Sequence, residues 1–168
     1  METVQTKNCV LDAEAIDRKI RRMALEVAEQ NIEEKELIIA GIAGNGEVVA
    51  DYITEELRKI LSVNITCLVV RLNKKEPNLV ECDPSVSLDN KVAIIVDDVA
   101  NTGKTMMYAL KPFLNASPKK IQTLVLVERS HKMFPVQTDY AGLSITTTLQ
   151  EHITVETEGG KILGAWLY

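Results

Sequence analysis

Apolar residues along this chain alternate between short unbroken runs and stripes with the spacing of a helix face. The runs ELIIAGI, NITCLVVRL, KVAIIVDDV and IQTLVLVERS are rich in branched residues. Their length and composition predict strands, the most apolar of them buried on both faces. Ile16, Ile20, Met23, Ala24 and Val27 follow the i, i+4, i+7, i+8, i+11 spacing of one helix face. Asp12 stands before them as a good N-cap. Val48, Val49, Tyr52, Ile53, Leu57, Ile60 and Leu61 trace a second helix after the turn AGNG. A third begins near Gly103. Pro112 is placed to end or kink it, because proline removes a hydrogen bond and crowds the carbonyl of Tyr108.

Residues 73–90, which include Pro77 and Pro84, are polar and aperiodic. The expectation there is a mobile loop with a functional role. From His131 onward the chain reads as irregular until two short strands, ITVETE and KILGAWLY, joined by the tight hairpin EGGK. Strands alternating with helices predict an α/β fold with a mainly parallel sheet flanked by helices. With 168 residues and no repeat or linker, a single domain over residues 1–168 is expected.

Composition narrows the class. Hydrophobic residues at 46% and charged residues at 26% suit a globular chain rather than a disordered one. A net charge of −5 supplies no global field for nucleic acid, although a local basic face stays open. The apolar stretches LIIAGIAG and VAIIV fall far short of the roughly 20 residues that cross a bilayer. The polar opening METVQTKNCVLDAEAID reads as neither a signal nor a transit peptide. Cys9, Cys67 and Cys82 are odd in number and lack CxxC spacing, which argues against a disulfide framework or a zinc site. We therefore expect a cytoplasmic protein with no membrane partner.

Candidate chemistry concentrates at the end of the most apolar strand, in DDVANTGKT. Ligands of open α/β sheets bind beyond the carboxyl ends of the strands. Thr102, Gly103 and Thr105 lead into a helix, so backbone N–H groups and hydroxyls can converge on an anion, with Lys104 adding charge. Asp97 and Asp98 cannot face the same phosphate without repulsion. They suit sugar hydroxyls, or a metal ion that the ligand carries. Phosphate on one side and a diol on the other describe a ribose 5-phosphate. A nucleotide P-loop would need glycine where Asp98 stands. The plain alternative is a pair of solvated acids capping a helix.

AIIVDDVANTGKT resembles the phosphoribosyl-diphosphate motif of type I phosphoribosyltransferases: an apolar strand, two acidic residues and a TGxT phosphate loop. CVLDAEAIDRKIRRMALEVAEQN and LVLVERSHKMFPVQTDYAGLSITTT are similar to the pyrimidine-operon attenuator/uracil phosphoribosyltransferase (PyrR) family. The resemblance implies a Rossmann-like core with a small hood from the C-terminal region, at residues 128–150, and at least a homodimer. It implies that ribose 5-phosphate passes from phosphoribosyl diphosphate to a nucleobase, uracil first. Asp97 and Asp98 would contact the ribose hydroxyls, and Asn101, Thr102, Gly103, Lys104 and Thr105 would wrap the 5-phosphate. Mg²⁺ would travel on the diphosphate. TGKTM and DYAG also resemble hypoxanthine-guanine phosphoribosyltransferases, the alternative for the base.

In this superfamily the loop at Ala43, Gly44, Asn45 and Gly46 would hold diphosphate through backbone amides. The attenuator family usually carries a basic residue and an arginine there, and this chain does not. Lys74 and Lys75 are candidates to compensate, and Arg71 is a candidate to touch the diphosphate as the 73–90 loop closes. Asn101 stands where the purine enzymes place an aspartate, and an amide cannot act as a base. His131 is an alternative titrating group. Phe134 and Tyr140 are candidates to stack on the nucleobase under the hood, with a place in the core as the equal alternative for either.

A competing reading is a regulator that binds RNA and keeps the pocket as a nucleotide sensor. Arg18, Lys19, Arg21 and Arg22, with Lys119 and Lys120, would then supply the phosphate contacts. The opposing reading of those residues is a solvated helix face. A third reading is a relative that binds a nucleotide without turnover.

Overall fold

The computed structural model describes residues 6–73 and 75–168. Strand β1 (Asn8–Asp12) leads into helix α1 (Ala13–Gln30), whose start is fixed as the sequence predicts: Asp12 Oδ1 accepts from Ala15 N–H at 2.8 Å. Ile16, Ile20, Met23, Ala24 and Val27 all lie on the buried face. Truncating one of them, Ile20→Ala for example, would cost roughly 2–5 kcal/mol through lost burial and an unfilled cavity.

Strand β2 (Glu36–Ile42), helix α2 (Asn45–Ile60), strand β3 (Asn64–Leu72), strand β4 (Val80–Glu81) and strand β5 (Val92–Ala100) follow. After β5 come helices α3 (Lys104–Ala109) and α4 (Lys111–Leu114), then strands β6 (Lys120–Arg129), β7 (Tyr140–Ile145), β8 (Ile153–Glu158) and β9 (Lys161–Leu167). The main sheet has the order β4-β3-β2-β5-β6-β7, parallel except for β4. Helices α1 and α2 cover one face, packing on Ile39, Ile94, Val96, Leu124 and Leu126. The other face carries Ile38, Ala40, Ile95 and Val125 under Met106, Ala109 and Phe113. Burial on both faces is why the inner strands read as continuous apolar runs.

Three expectations change in detail. The third helix breaks at Leu110 into α3 and α4, and Pro112 falls in the first turn of α4, where its missing N–H costs nothing. The 73–90 stretch is only in part a loop. β4 returns antiparallel to β3, pairing Arg71 with Glu81, and Val80, Val86 and Leu88 pack on the second core. Ser117 N–H donates to Asp89 at 2.7 Å and fastens the end of that stretch.

Residues 128–150 are likewise not all hood, because β7 is the edge strand of the main sheet, parallel to β6. The covering layer is instead a small antiparallel sheet, β1-β9-β8, which joins the two ends of the chain. Its β8–β9 turn is the expected hairpin, with Gly159 and Gly160 at φ of 55° and 76°. Among the described residues no helix is long and apolar enough to cross a membrane.

Candidate active site

β5 runs from a dry interior to two acids at its carboxyl end. Asp97 is 2% exposed and Asp98 8% exposed. Such burial needs donors, and the backbone supplies some. Asp98 N–H donates to Asp97 Oδ1 and Val99 N–H to Asp98 Oδ1, each at 2.9 Å. The second oxygen of Asp98 accepts from Asn45 Nδ2 at 3.1 Å. Gly46 lies against Asp97: a Cβ there would come within 3.1 Å of Asp97 Oδ1 and 2.9 Å of the Val96 carbonyl. Only glycine lets α2 begin this close to the acidic pair.

Beyond the acids the chain turns through Asn101 and Thr102. Gly103 adopts φ 83° and ψ −2°, a left-handed conformation that glycine takes without strain. Lys104 N–H donates to Thr102 Oγ1 at 3.2 Å. The Thr102 carbonyl accepts from Met133 N–H and Phe134 N–H, at 2.9 and 3.0 Å, so the loop after β6 holds this turn in place. A cavity of about 210 Å³ opens between residues 97–106 and Ile153, Thr154 and Val155 of β8. Asn101 Oδ1 is buried without a hydrogen-bond partner among the described residues.

The turn between β2 and α2 forms a separate wall. Ala43 N–H donates to Val70 O at 2.8 Å. Gly44, at φ 96°, precedes the helix, and its N–H donates to Glu47 Oε2 at 3.0 Å. Asn45 spends its whole amide: Nδ2 also donates to Val155 O at 2.9 Å, and Oδ1 accepts from Thr157 Oγ1 at 2.8 Å. Asn45 therefore joins the acidic pair to β8 of the covering sheet. The sequence reading placed Asn45 in this loop and missed that role.

The profile of the phosphoribosyl transferase domain matches residues 8–158. The chain belongs to the phosphoribosyltransferase family. It is 32% identical over 161 residues to the bifunctional protein PyrR of Enterococcus faecalis, covering 90% of each chain. It is 31% identical over 160 residues to the bifunctional protein PyrR of Clostridium acetobutylicum, covering 89% of this chain and 90% of the other. These relatives place it in the PyrR group. Among solved structures, the hypoxanthine phosphoribosyltransferase of Trypanosoma cruzi superposes with a TM-score of 0.73 at 16% identity, covering 83% of this chain and 82% of that one. Its ternary substrates complex gives 0.75 at 16% identity over 93% of each chain. That likeness concerns the type I phosphoribosyltransferase fold.

Against the family motif, Asp97, Asp98, Asn101, Thr102, Gly103, Lys104 and Thr105 converge on one cavity. Ala43 and Arg71 share a neighbouring groove with Glu76 and Glu81 and do not line that cavity. Lys75 is exposed, and Lys74 lies outside the described residues. His131 is exposed, and Phe134 is half-buried beside Gly103.

Tyr140 is a correction. It is 3% exposed at the start of β7, the end of the strand away from the cavity, and its hydroxyl donates to Gln122 Oε1 at 3.0 Å. Burial, offset in part by the bond to Gln122, pushes its phenol up to about 12. It is a core residue and cannot stack on a base.

The basic residues are largely tied within the chain. Arg18 pairs with Glu14 at 2.5 Å and Arg22 with Glu26 at 2.6 Å, and Arg22 also donates to the Ala141 and Gly142 carbonyls. Lys119 pairs with Glu34 at 2.6 Å, and Lys120 donates to Gln30 O at 3.2 Å.

Proposed function

We propose that the chain transfers ribose 5-phosphate from phosphoribosyl diphosphate to a nucleobase, uracil first, and releases diphosphate. The observation that supports this reading is the convergence of Asp97, Asp98 and residues 101–105 on one cavity, in a chain of the PyrR group. The acids accept from the two ribose hydroxyls and fix the sugar. The amides and hydroxyls of the 102–105 turn, with Lys104, receive the 5-phosphate. A base nitrogen forms its bond to the anomeric carbon as the bond to the diphosphate oxygen breaks, and the nitrogen proton leaves to solvent.

Charge becomes positive on the sugar in the transition state, and the two carboxylates beside it stabilise that charge. Holding both partners in line supplies much of the remaining rate. Mg²⁺ fits this site, because Asp97 and Asp98 offer the hard oxygen donors that the ion prefers alongside phosphates. When bound with the diphosphate it would supply charge neutralisation. A cytoplasmic homodimer or higher oligomer is part of the same proposal.

The test is diphosphate release from phosphoribosyl diphosphate and Mg²⁺ in the presence of each nucleobase in turn. Release with uracil alone supports the reading. Release with guanine or hypoxanthine alone overturns the choice of base, and no release with any base overturns the transferase activity.

A further inference from the structure

Asn45 is the first residue of α2, and Gly46 beside it lets the helix start against the acidic pair. There its amide meets three groups on two strands. Nδ2 donates to Asp98 Oδ2 at 3.1 Å and to Val155 O at 2.9 Å, and Oδ1 accepts from Thr157 Oγ1 at 2.8 Å. The network fixes which way the amide points. Reversed, Oδ1 would face a carboxylate and a carbonyl, neither of which donates. It also fixes the residue type. Two donors and one acceptor at this reach are what a short primary amide supplies, whereas aspartate lacks the donors and serine has only one.

Each oxygen of Asp98 is held by one donor, Oδ1 by Val99 N–H and Oδ2 by Asn45. Two donors at fixed places set the plane of the carboxylate, and each oxygen keeps a lone pair for a ligand hydroxyl. With the Val99 bond alone, the group would be freer to turn about its Cβ–Cγ bond. β8 is the edge strand of the covering sheet, and its residues 153–155 form the wall opposite the acids. The amide that orients Asp98 therefore also holds the facing wall.

We propose that Asn45 is the positioning residue of the sugar site and sets its preference for a ribose-bearing phosphate over phosphate alone. The proposal rests on the pocket being a ribose 5-phosphate site. Asn45 acts through Asp98 and β8 rather than on a reacting atom. A carboxylate already held in one plane gives up less freedom when a hydroxyl binds, and short charge-assisted bonds weaken with small misplacements. None of the side-chain bonds of Asn45 reaches the 102–105 turn, so a phosphate without a sugar is indifferent to it.

The test is titration of the full chain with ribose 5-phosphate and with inorganic phosphate, followed by phosphorus NMR. The wild-type chain is expected to hold the sugar phosphate at least about tenfold more tightly. In Asn45→Ala that affinity is expected to fall about tenfold, while inorganic phosphate stays within about twofold. Thr157→Val keeps the shape of its side chain and removes one anchor of the amide. It is expected to lose about threefold for the sugar phosphate alone, and it carries the test if thermal melts show Asn45→Ala to be unfolded.

Wild-type affinity for ribose 5-phosphate in the folded variants overturns the role of Asn45 while the sugar-phosphate reading stands. A parallel fall for inorganic phosphate also overturns it, because Asn45 would then support the fold as a whole. If the wild-type chain binds the two ligands equally, or neither, the sugar-phosphate reading fails and takes the role with it.

Discussion

Two strand-to-helix turns meet at the carboxyl edge of the sheet, one after β2 and one after β5, on neighbouring parallel strands. Each uses a glycine at positive φ, Gly44 at 96° and Gly103 at 83°. The first opens a helix of 16 residues and the second a helix of six. By dipole alone the longer helix would make the better anion site. The side chains invert that ranking. The long helix has Glu47 in its first turn, bound to the Gly44 amide, whereas the short one has no acid there and begins with Lys104. The Glu47 carboxylate occupies one amide of the turn, that of Gly44, in the manner of a capping box. The cavity is lined by the second turn and not by the first.

The contrast can be broken most forcefully at the acids that stand between the turns. Asp98→Ala is expected to weaken binding of uridine 5′-monophosphate at least about 100-fold, or roughly 3 kcal/mol, through lost charge-assisted bonds to the ribose. The domain should stay folded, and calorimetry beside a thermal melt separates the two effects. Unchanged affinity would remove Asp98 from the site.

Asn45→Asp attacks the brace. It puts a carboxylate against Asp98 and removes the donor to Val155. Chemical denaturation should show a loss of about 2 kcal/mol. Asn45→Ala should lose less, because it leaves the acids unopposed. A neutral result for both would mean that the join between the acidic pair and β8 carries no energy.

Much of the architecture was readable because it is local. The stripe from Ile16 to Val27, the apolar strands and the GG hairpin each announce themselves within a few residues. So does DDVANTGKT, whose residues line the cavity together. What escaped is long-range or short. Among the described residues β1 pairs with β9 alone, about 150 residues away in sequence. β4 has two residues and β7 is an edge strand with mixed burial, so neither shows a clear period. The three side-chain partnerships of Asn45 span 53, 110 and 112 residues. Glu47 could have been read, since an acid three residues after a helix-starting glycine is a capping pattern. Tyr140 was misplaced because an aromatic near an expected hood looks the same in sequence as one in the core.

Tyr140→Phe sharpens the comparison by testing a residue outside both turns. It removes one buried bond to Gln122 and is expected to cost about 1 kcal/mol in denaturation, with ligand affinity unaltered. A drop in affinity would return Tyr140 to the site.

The smallest effect concerns the loop that holds the Thr102 carbonyl. Burial opposes ionisation of Glu128, but hydrogen bonds from Lys132, Thr138 and Ser144 outweigh it and hold the carboxyl below its ordinary value of 4.5. A depressed carboxyl binds fewer protons in the folded state than in the unfolded state. Its contribution is therefore full above the unfolded value and is lost as pH falls through the folded one. For a partly exposed group this amounts to about 0.5 kcal/mol. Glu128→Gln should lower the melting point slightly at neutral pH and flatten its fall below pH ~4.5. An unchanged acid limb would show that these bonds do not tie the loop.

The direct test of the division between the turns is amide NMR of the labelled chain titrated with uridine 5′-monophosphate. The account predicts that the resonances of Asp97, Asp98 and Thr102–Thr105 move together, while those of Ala43 and Gly44 hardly shift. Movement confined to Ala43–Glu47, with the Thr102–Thr105 amides unmoved, would contradict it.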